Sequence, residues 1–305
     1  MRIGILSRNH TLYSTRRLVD AARQRGHIVH LLDTLSVAVE LQPDSQQMRL
    51  LRATPIGLAH MSRLPELDAI IPRIGASITF YGVAVVRQFE ALGVLSTAVS
   101  DGILASRDKL HSLQIMQQAG LPVPRTAVIA KPQALFAAVE SVGGLPAVIK
   151  LVRGTQGKGV ILVHDLTTAA RALQSVEGTE RHALLQEFIT EADGRDLRVI
   201  VVGNRCVAAM QRISADGEFR SNLHMGGTAA AIKPDRKTQK LAVAAAQAHG
   251  LAVAGVDLIQ AERGALVLEV NSSPGLEGIE GITGIDVAAE IVAFLERNFR
   301  SKHPR

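Results

Sequence analysis

Apolar residues along the chain fall in short runs, and the period of each run indicates the element that carries it. RIGILS (2–7), HIVHLLD (27–33), DAIIP (68–72) and GVLST (93–97) read as strands, while 14–25 and 77–92 repeat apolar positions at helical spacing, the first of these helices closed by Gly26. Strands interleaved with amphipathic helices predict a parallel sheet covered on both faces, with a hairpin-like stretch at 36–56 as an interruption. The run SRDKLHSLQIMQQAG (106–120) predicts an amphipathic helix capped by Ser106 and ended by Gly120. LPVPRTAVI, a helix over 132–142, LPAVIKLV (145–152), VILV (160–163), a helix over 167–176 and ALLQEFI (183–189) follow. From 196 hairpins take over. DLRVIVV and RCVAAMQRI are joined by Gly203-Asn204, and GVDLIQ (255–260) and ALVLEVN (265–271) flank Glu262-Arg263-Gly264. Helices over 235–249 and 286–298 complete the pattern, and 299–305 reads as a frayed basic tail.

With 305 residues the chain is long enough for cooperating domains and a large core. Hydrophobic residues make up 47% but never form a span of eighteen, so no transmembrane helix is expected, and MRIGILS opens as a strand without the features of a secretory leader. The single cysteine, Cys206, lies in an alternating strand, where a small buried thiol explains it better than a nucleophile does. A reducing cytoplasm is the expected location. The net charge of +6 suits nucleic acid in principle. However, aromatics are 3% and no dense basic run or stripe exists, so an acidic small molecule or peptide is the better match.

The candidate chemistry begins at the 255–271 hairpin. A turn centred on Arg263 places Asp257 opposite Glu269, although a bulge at Gly264 would shift the register by one. Strand alternation then sends Val267, Glu269 and Asn271 to one face and Leu266, Leu268 and Val270 to the other. Opposed carboxylates repel by roughly 0.2–1 kcal/mol. A divalent cation between them reverses that sign, and Asp257, Glu269 and the Asn271 amide oxygen are the hard donors Mg²⁺ accepts. A solvated antiparallel face is the competing explanation. Upstream, Lys150 lies in an apolar strand and needs an anion, and GTQGKG (154–159), with Gln156 and Gly157, has glycines that let backbone N–H groups close on phosphate. Glu187 in LLQEFI offers a carboxylate beside an extended edge suited to a nucleoside. Asp196, Arg212 and Arg220-Ser221-Asn222 add charge before the metal hairpin.

The order of these parts resembles the ATP-grasp superfamily of carboxylate–amine ligases. SRNHTLYSTRRL, IPRIGASITFYG, SRDKL, KLVRGTQGKGV, FRSNLHMGG, AGVDL and LEVNSSPGLEGIE are similar to the RimK family, which ligates glutamate to the C-terminus of a small-subunit ribosomal protein. The resemblance spans roughly 1–298. It implies an α/β chain, α+β in its C-terminal part, with an ATP-grasp fold preceded by a Rossmann-like pre-ATP-grasp domain. The corresponding units are 1–98, 99–187 and 188–298, with 299–305 a tail. It further implies that Lys109, Lys150, Glu187, Phe188, Asp196, Arg220, Ser221 and Asn222 contact ATP, and that Asp257, Glu269 and Asn271 hold two Mg²⁺ or Mn²⁺ ions. Arg212 and Arg220 become candidates for stabilising the transferred phosphoryl group and the tetrahedral oxyanion, and Arg73 for gripping an acceptor carboxylate or for an interdomain salt bridge. Met225 departs from the basic residue expected in the His-x-Gly-Gly segment. The implied partners are glutamate, the acidic tail of a ribosomal protein and further copies of the chain, without direct nucleic-acid contact. Two alternatives stay open: an ATP-grasp ligase acting on a small cofactor or making a dipeptide, and a non-enzymatic protein docking on ribosomal RNA.

Overall fold

The computed structural model describes residues 1–41, 49–53, 61–151, 159–174, 183–215 and 226–302. The first part runs β1 (Arg2–Leu6), α1 (Tyr13–Gln24), β2 (Ile28–Leu32), β3 (Val37–Glu40), β4 (Arg49–Ala53), β5 (Met61–Arg63), β6 (Ala69–Pro72), α2 (Thr79–Ala91) and β7 (Leu95–Ser96). Strands β2-β1-β6-β7 form the expected parallel sheet, and β3-β4-β5 form a separate antiparallel one that includes the anticipated hairpin. Alternation along β1 sends Ile3 and Ile5 toward Leu18 and Ala22 of α1, while Leu6 joins Ile70, Val83, Val86 and Phe89 on the opposite face. Burial on both faces is why β1 and β6 read as nearly continuous apolar runs.

Next come α3 (Ser100–Arg107), α4 (Lys109–Gln118), β8 (Thr126–Ile129), α5 (Leu135–Ser141), β9 (Ala147–Leu151), β10 (Val160–Val163), α6 (Leu166–Gln174) and β11 (Ala183–Glu187). The single helix expected over 106–120 is instead broken at Asp108. Its side chain accepts from Leu110 N and His111 N, so Asp108 rather than Ser106 is the cap. A carboxylate one residue before the first helical turn outcompetes a serine already committed to Ile103 O and Ser272 Oγ. Strands β10-β9-β11-β8 pair antiparallel, and Ile149, Leu185, Val163 and Ile129 pack one face onto α5 and α6 in a core of their own.

The last part holds β12 (Arg195–Val202), β13 (Arg205–Ile213), β14 (Thr228–Ala231), α7 (Arg236–Ala248), β15 (Val253–Ala261), β16 (Gly264–Asn271), α8 (Glu277–Thr283) and α9 (Val287–Lys302). Gly203 turns the β12–β13 hairpin at φ +64°, as its Gly-Asn signal predicts. The sheet order is β14-β13-β12-β15-β16. One face, with Val199, Val201, Val256 and Val267, packs on Ala242, Ala245 and Ala246 of α7. The other, with Ile200, Val202 and Val253, meets α8 and α9. Both cores continue into the first sheet. Close approach is enforced at Gly102, where a Cβ would sit 2.1 Å from His249 O. Residues 299–302, expected to fray, extend α9 instead, with Arg300 and Ser301 among them, and 303–305 lie outside the described residues.

Candidate active site

The polar end of the β12–β16 sheet carries a charged row. Arg212 on β13 lies opposite Asp196 on β12, Arg198 lies opposite Asp257 on β15, and Asp257 lies opposite Glu269 on β16. The Asp257–Glu269 pairing is the anticipated one, reached by a different route. The turn is only Glu262-Arg263, which alone would set Asp257 against Leu268; a bulge between Asp257 and Leu258 skips Leu268 and restores Glu269 as the partner. The bulge also corrects the expected faces. Val267 does not share a face with Glu269, since it is fully buried with Val270 in the α7 core while Glu269 is exposed.

The buried carboxylate is therefore Asp257, not Glu269, and arginines compensate it. Arg198 donates from Nε to Asp257 Oδ1 at 2.7 Å and from Nη2 to Oδ2 at 2.6 Å. Arg212 donates twice to Asp196, both at 2.6 Å, and its Nη2 lies 3.1 Å from Asp257 Oδ2. Burial pushes the Asp257 carboxyl up, but the two guanidinium charges outweigh it and hold it below the usual range. Burial likewise opposes the Arg212 charge, and Asp257 with Asp196 raises its pKa regardless.

Lys150 approaches from the other antiparallel sheet. Its Nζ donates to Gln186 Oε1 at 2.6 Å, and Gln186 Nε2 donates to Thr126 Oγ1 at 2.9 Å, so a relay across β9, β11 and β8 fixes the ammonium. Burial pulls the Lys150 pKa down to about 8, with the Lys109 charge adding to the fall and Glu269 and Asp257 opposing it. The fields of Lys109, Glu269 and Asp257 thus all reach the Lys150 ammonium. Lys109 itself starts α4. Glu187 ends β11, where its Oε1 accepts from Arg125 N at 2.6 Å and meets the guanidinium of Arg263 from the β15–β16 turn. Phe188 follows, half-buried. Arg73 is half-buried just after β6, and burial together with the Arg107 charge lowers its pKa to about 10. It has no ion pair among the described residues, so the interdomain salt bridge considered for it is not formed there.

Gln156, Gly157, Arg220, Ser221, Asn222 and Met225 lie outside the described residues. Sequence reasoning missed Arg198, Gln186 and Arg107. For Arg198 a signal existed: in DLR it stands two residues from Asp196, on the same strand face. Cys206 shows no sign of a nucleophile, since burial raises its thiol pKa.

As a metal site, Asp257, Glu269 and Asn271 offer hard oxygens at the end of one sheet. No cluster of three or more His, Cys, Asp or Glu suited to a metal occurs among the described residues, so any cation would rely on the Asn271 amide as well as the two carboxylates. Asn271 Nδ2 is buried without a hydrogen-bond partner; being a donor it cannot ligate a cation, so only Oδ1 of that amide counts toward the set. By oxygen chemistry the set fits a hard cation, which would have to share Asp257 Oδ1 and Oδ2 with Arg198 and Arg212.

The RimK-like ATP-grasp domain model matches residues 106–295, and the RimK PreATP-grasp domain model matches 1–103. The chain belongs to the RimK-like ATP-grasp family. It is 48% identical over its whole length to a "probable alpha-L-glutamate ligase" of Vibrio cholerae, covering 98% of that protein. To a protein of the same description from Teredinibacter turnerae it is 50% identical, over 98% of this chain and 97% of the relative. The structure of the ATP-grasp ligase PsnB complexed with a minimal precursor, Mg and ADP superposes with a TM-score of 0.73 over 98% of each chain, at 20% identity. That likeness establishes the ATP-grasp fold with its pre-ATP-grasp N-terminal domain. The RimK-family chain is thus a ligase, and the two antiparallel sheets that carry Lys150 and the Asp257–Glu269 pair are parts of its ATP-grasp domain.

Proposed function

We propose that this ligase uses ATP to join glutamate to the C-terminus of an acidic peptide, with the tail of a small-subunit ribosomal protein as acceptor, in the cytoplasm. The observation that carries the reading is the pairing of Asp257 with Glu269 at the end of one ATP-grasp sheet, with Arg212 Nη2 3.1 Å from Asp257 and the fields of both carboxylates reaching Lys150 on the other. Lys150 holds triphosphate oxygens from one side. Lys109, Glu187, Phe188 and Asp196 line the nucleotide site with Gln156, Gly157, Arg220, Ser221 and Asn222. Asp257, Glu269 and Asn271 would hold two Mg²⁺ or Mn²⁺ ions, which would supply neutralising charge to the phosphates. Glu187 is occupied by Arg263 and Arg125 N, so nucleotide contact from this residue requires sharing those partners.

A carboxylate is a poor acyl donor. Its oxygen attacks the terminal phosphorus of ATP, ADP leaves, and an acyl phosphate forms. The glutamate amine then attacks the carbonyl carbon, loses a proton, and phosphate departs as the amide bond closes. No enzyme nucleophile is needed. Arg212 and Arg220 are assigned to the charge that builds on the phosphoryl oxygens and on the tetrahedral oxyanion. Pre-positioning by rigid strands supplies the remainder, since misplacement by about 1 Å costs on the order of 10²-fold.

Support for glutamate comes from the relatives' descriptions, and a peptide acceptor accords with the precursor peptide PsnA2 complexed with the ligase PsnB. Hydroxylamine tests the reading: with ATP and an acidic-tailed peptide but no glutamate, it should intercept the acyl phosphate as a hydroxamate while phosphate is released. ATP turnover that depends on a small cofactor, with no hydroxamate on any peptide, would favour the alternative ATP-grasp ligase.

A further inference from the structure

Two guanidinium groups lie near the C-terminal end of β6 without an acidic partner. Arg73 follows that strand, its backbone N–H bonded to Leu6 O at 2.8 Å. Arg107 closes α3 and donates from Nη2 to Ile74 O at 2.6 Å, while its Nε is buried with no hydrogen-bond partner. This bond brings the Arg107 guanidinium to the main chain beside Arg73, and the Arg107 charge reaches the Arg73 guanidinium. Among the described residues neither makes an ion pair. Burial and the Arg107 charge both work against the Arg73 proton, whose pKa falls to about 10.

A neighbouring segment adds an unsatisfied group. Ser106 Oγ donates to Ser272 Oγ at 3.0 Å, which ties the end of α3 to the loop after β16, and in that loop Ser273 Oγ is buried without a partner. Two half-buried like charges, one with an orphaned buried Nε, are seldom left without an anion to answer them. Among anions, a carboxylate matches the planar donor edges of guanidinium better than a point charge would. The field of Glu269 reaches Arg107, so the pair borders the reacting centre.

We infer that Arg73 and Arg107 form a carboxylate clamp for a group of the substrate that does not react. The inference rests on the ligase reading for the substrate's identity, and the carboxylate has two sources, free glutamate or the acidic end of the acceptor. Two measurements test it on the full-length protein. In the first, glutarate, a dicarboxylate with no amine, is added without nucleotide or metal while the thermal midpoint is followed. Wild type should be stabilised, and Arg73→Lys and Arg107→Lys, shown by circular dichroism to be folded, should lose that response. In the second, steady-state kinetics should show KM raised at least about tenfold for one substrate, the usual scale for losing a charge-assisted pair, with KM for ATP unchanged. A rise for glutamate assigns the clamp to the free amino acid, and a rise for the peptide assigns it to the acceptor. Equal glutarate responses in wild type and variants with no change in either KM, or a change confined to ATP, would overturn the clamp. If the wild type ligates no glutamate yet shows arginine-dependent protection by glutarate, the ligase reading fails and the clamp stands.

Discussion

Glu269 is exposed at the end of a row in which every buried charge already has a partner, and this separates its energetic role from its chemical one. Replacing it with Gln removes a charge facing Asp257 without leaving a buried group unpaired. Stability should therefore change by no more than about 0.5 kcal/mol. Turnover should fall by about 10²–10³, the range for removing one electrostatic contributor to a transition state. Thermal melts and steady-state kinetics on the same preparation check both halves. Lys150 gives a second residue-scale test. Burial holds its pKa near 8, below the ordinary lysine value, and a bound phosphate favours the protonated form and raises it again. Nucleotide binding at a pH above about 8 should therefore take up a proton, whereas at pH 7 the lysine is already charged and uptake should vanish. Calorimetry in buffers of different ionisation enthalpy reads this directly, and Lys150→Met should abolish it.

At the scale of elements, the break between α3 and α4 sets Lys109 at the first position of a helix. Asp108 makes that break by capping two backbone N–H groups, so Asp108→Ala should cost about 1 kcal/mol, read as a lower denaturation midpoint with an unchanged denaturant slope. How far the sequence reveals such features depends on whether the determining interaction is local. Period-two runs and the Gly203-Asn204 turn are local, and both emerged as expected. Asp108 is a local signal too, but Ser106 stood in a similar position, and its hydrogen bonds to Ile103 O and to Ser272, the latter far along the chain, show why it was unavailable. The Asp257–Glu269 register is more instructive. A shorter turn and a bulge at Leu268 offset each other, so the pairing survived although the expected faces did not. Arg198 and Arg107 were missed because their roles depend on strands and loops brought together by the fold. The short α8, with Gly278 and Gly281 inside or beside its turns, carries almost no helical signal of its own.

For the molecule as a whole, the N-terminal sheet is bound to the rest by apolar cores on both sides and by polar contacts, those of Glu280 buried and those of Glu296 closer to solvent. Glu280 on α8 accepts from Arg17 Nε at 2.9 Å, Tyr13 OH at 3.0 Å and Ala288 N at 3.0 Å, and Arg25 and His27 meet Glu296 on α9. Glu280→Ala leaves three donors short of an acceptor. Arg17 keeps Asp286 and some solvent, so the loss should be about 2 kcal/mol, below that of a wholly buried pair, and visible as a lower thermal midpoint. Membership of a ligase family removes the non-enzymatic alternative. Intact-mass spectrometry of an acidic-tailed peptide incubated with the protein, Mg²⁺-ATP and glutamate tests the central claim most directly. The peptide should gain mass in steps of one glutamyl residue, only with ATP present and not with Glu269→Gln. A peptide whose mass never changes, while a small molecule in the same mixture is extended by glutamate, would contradict the account.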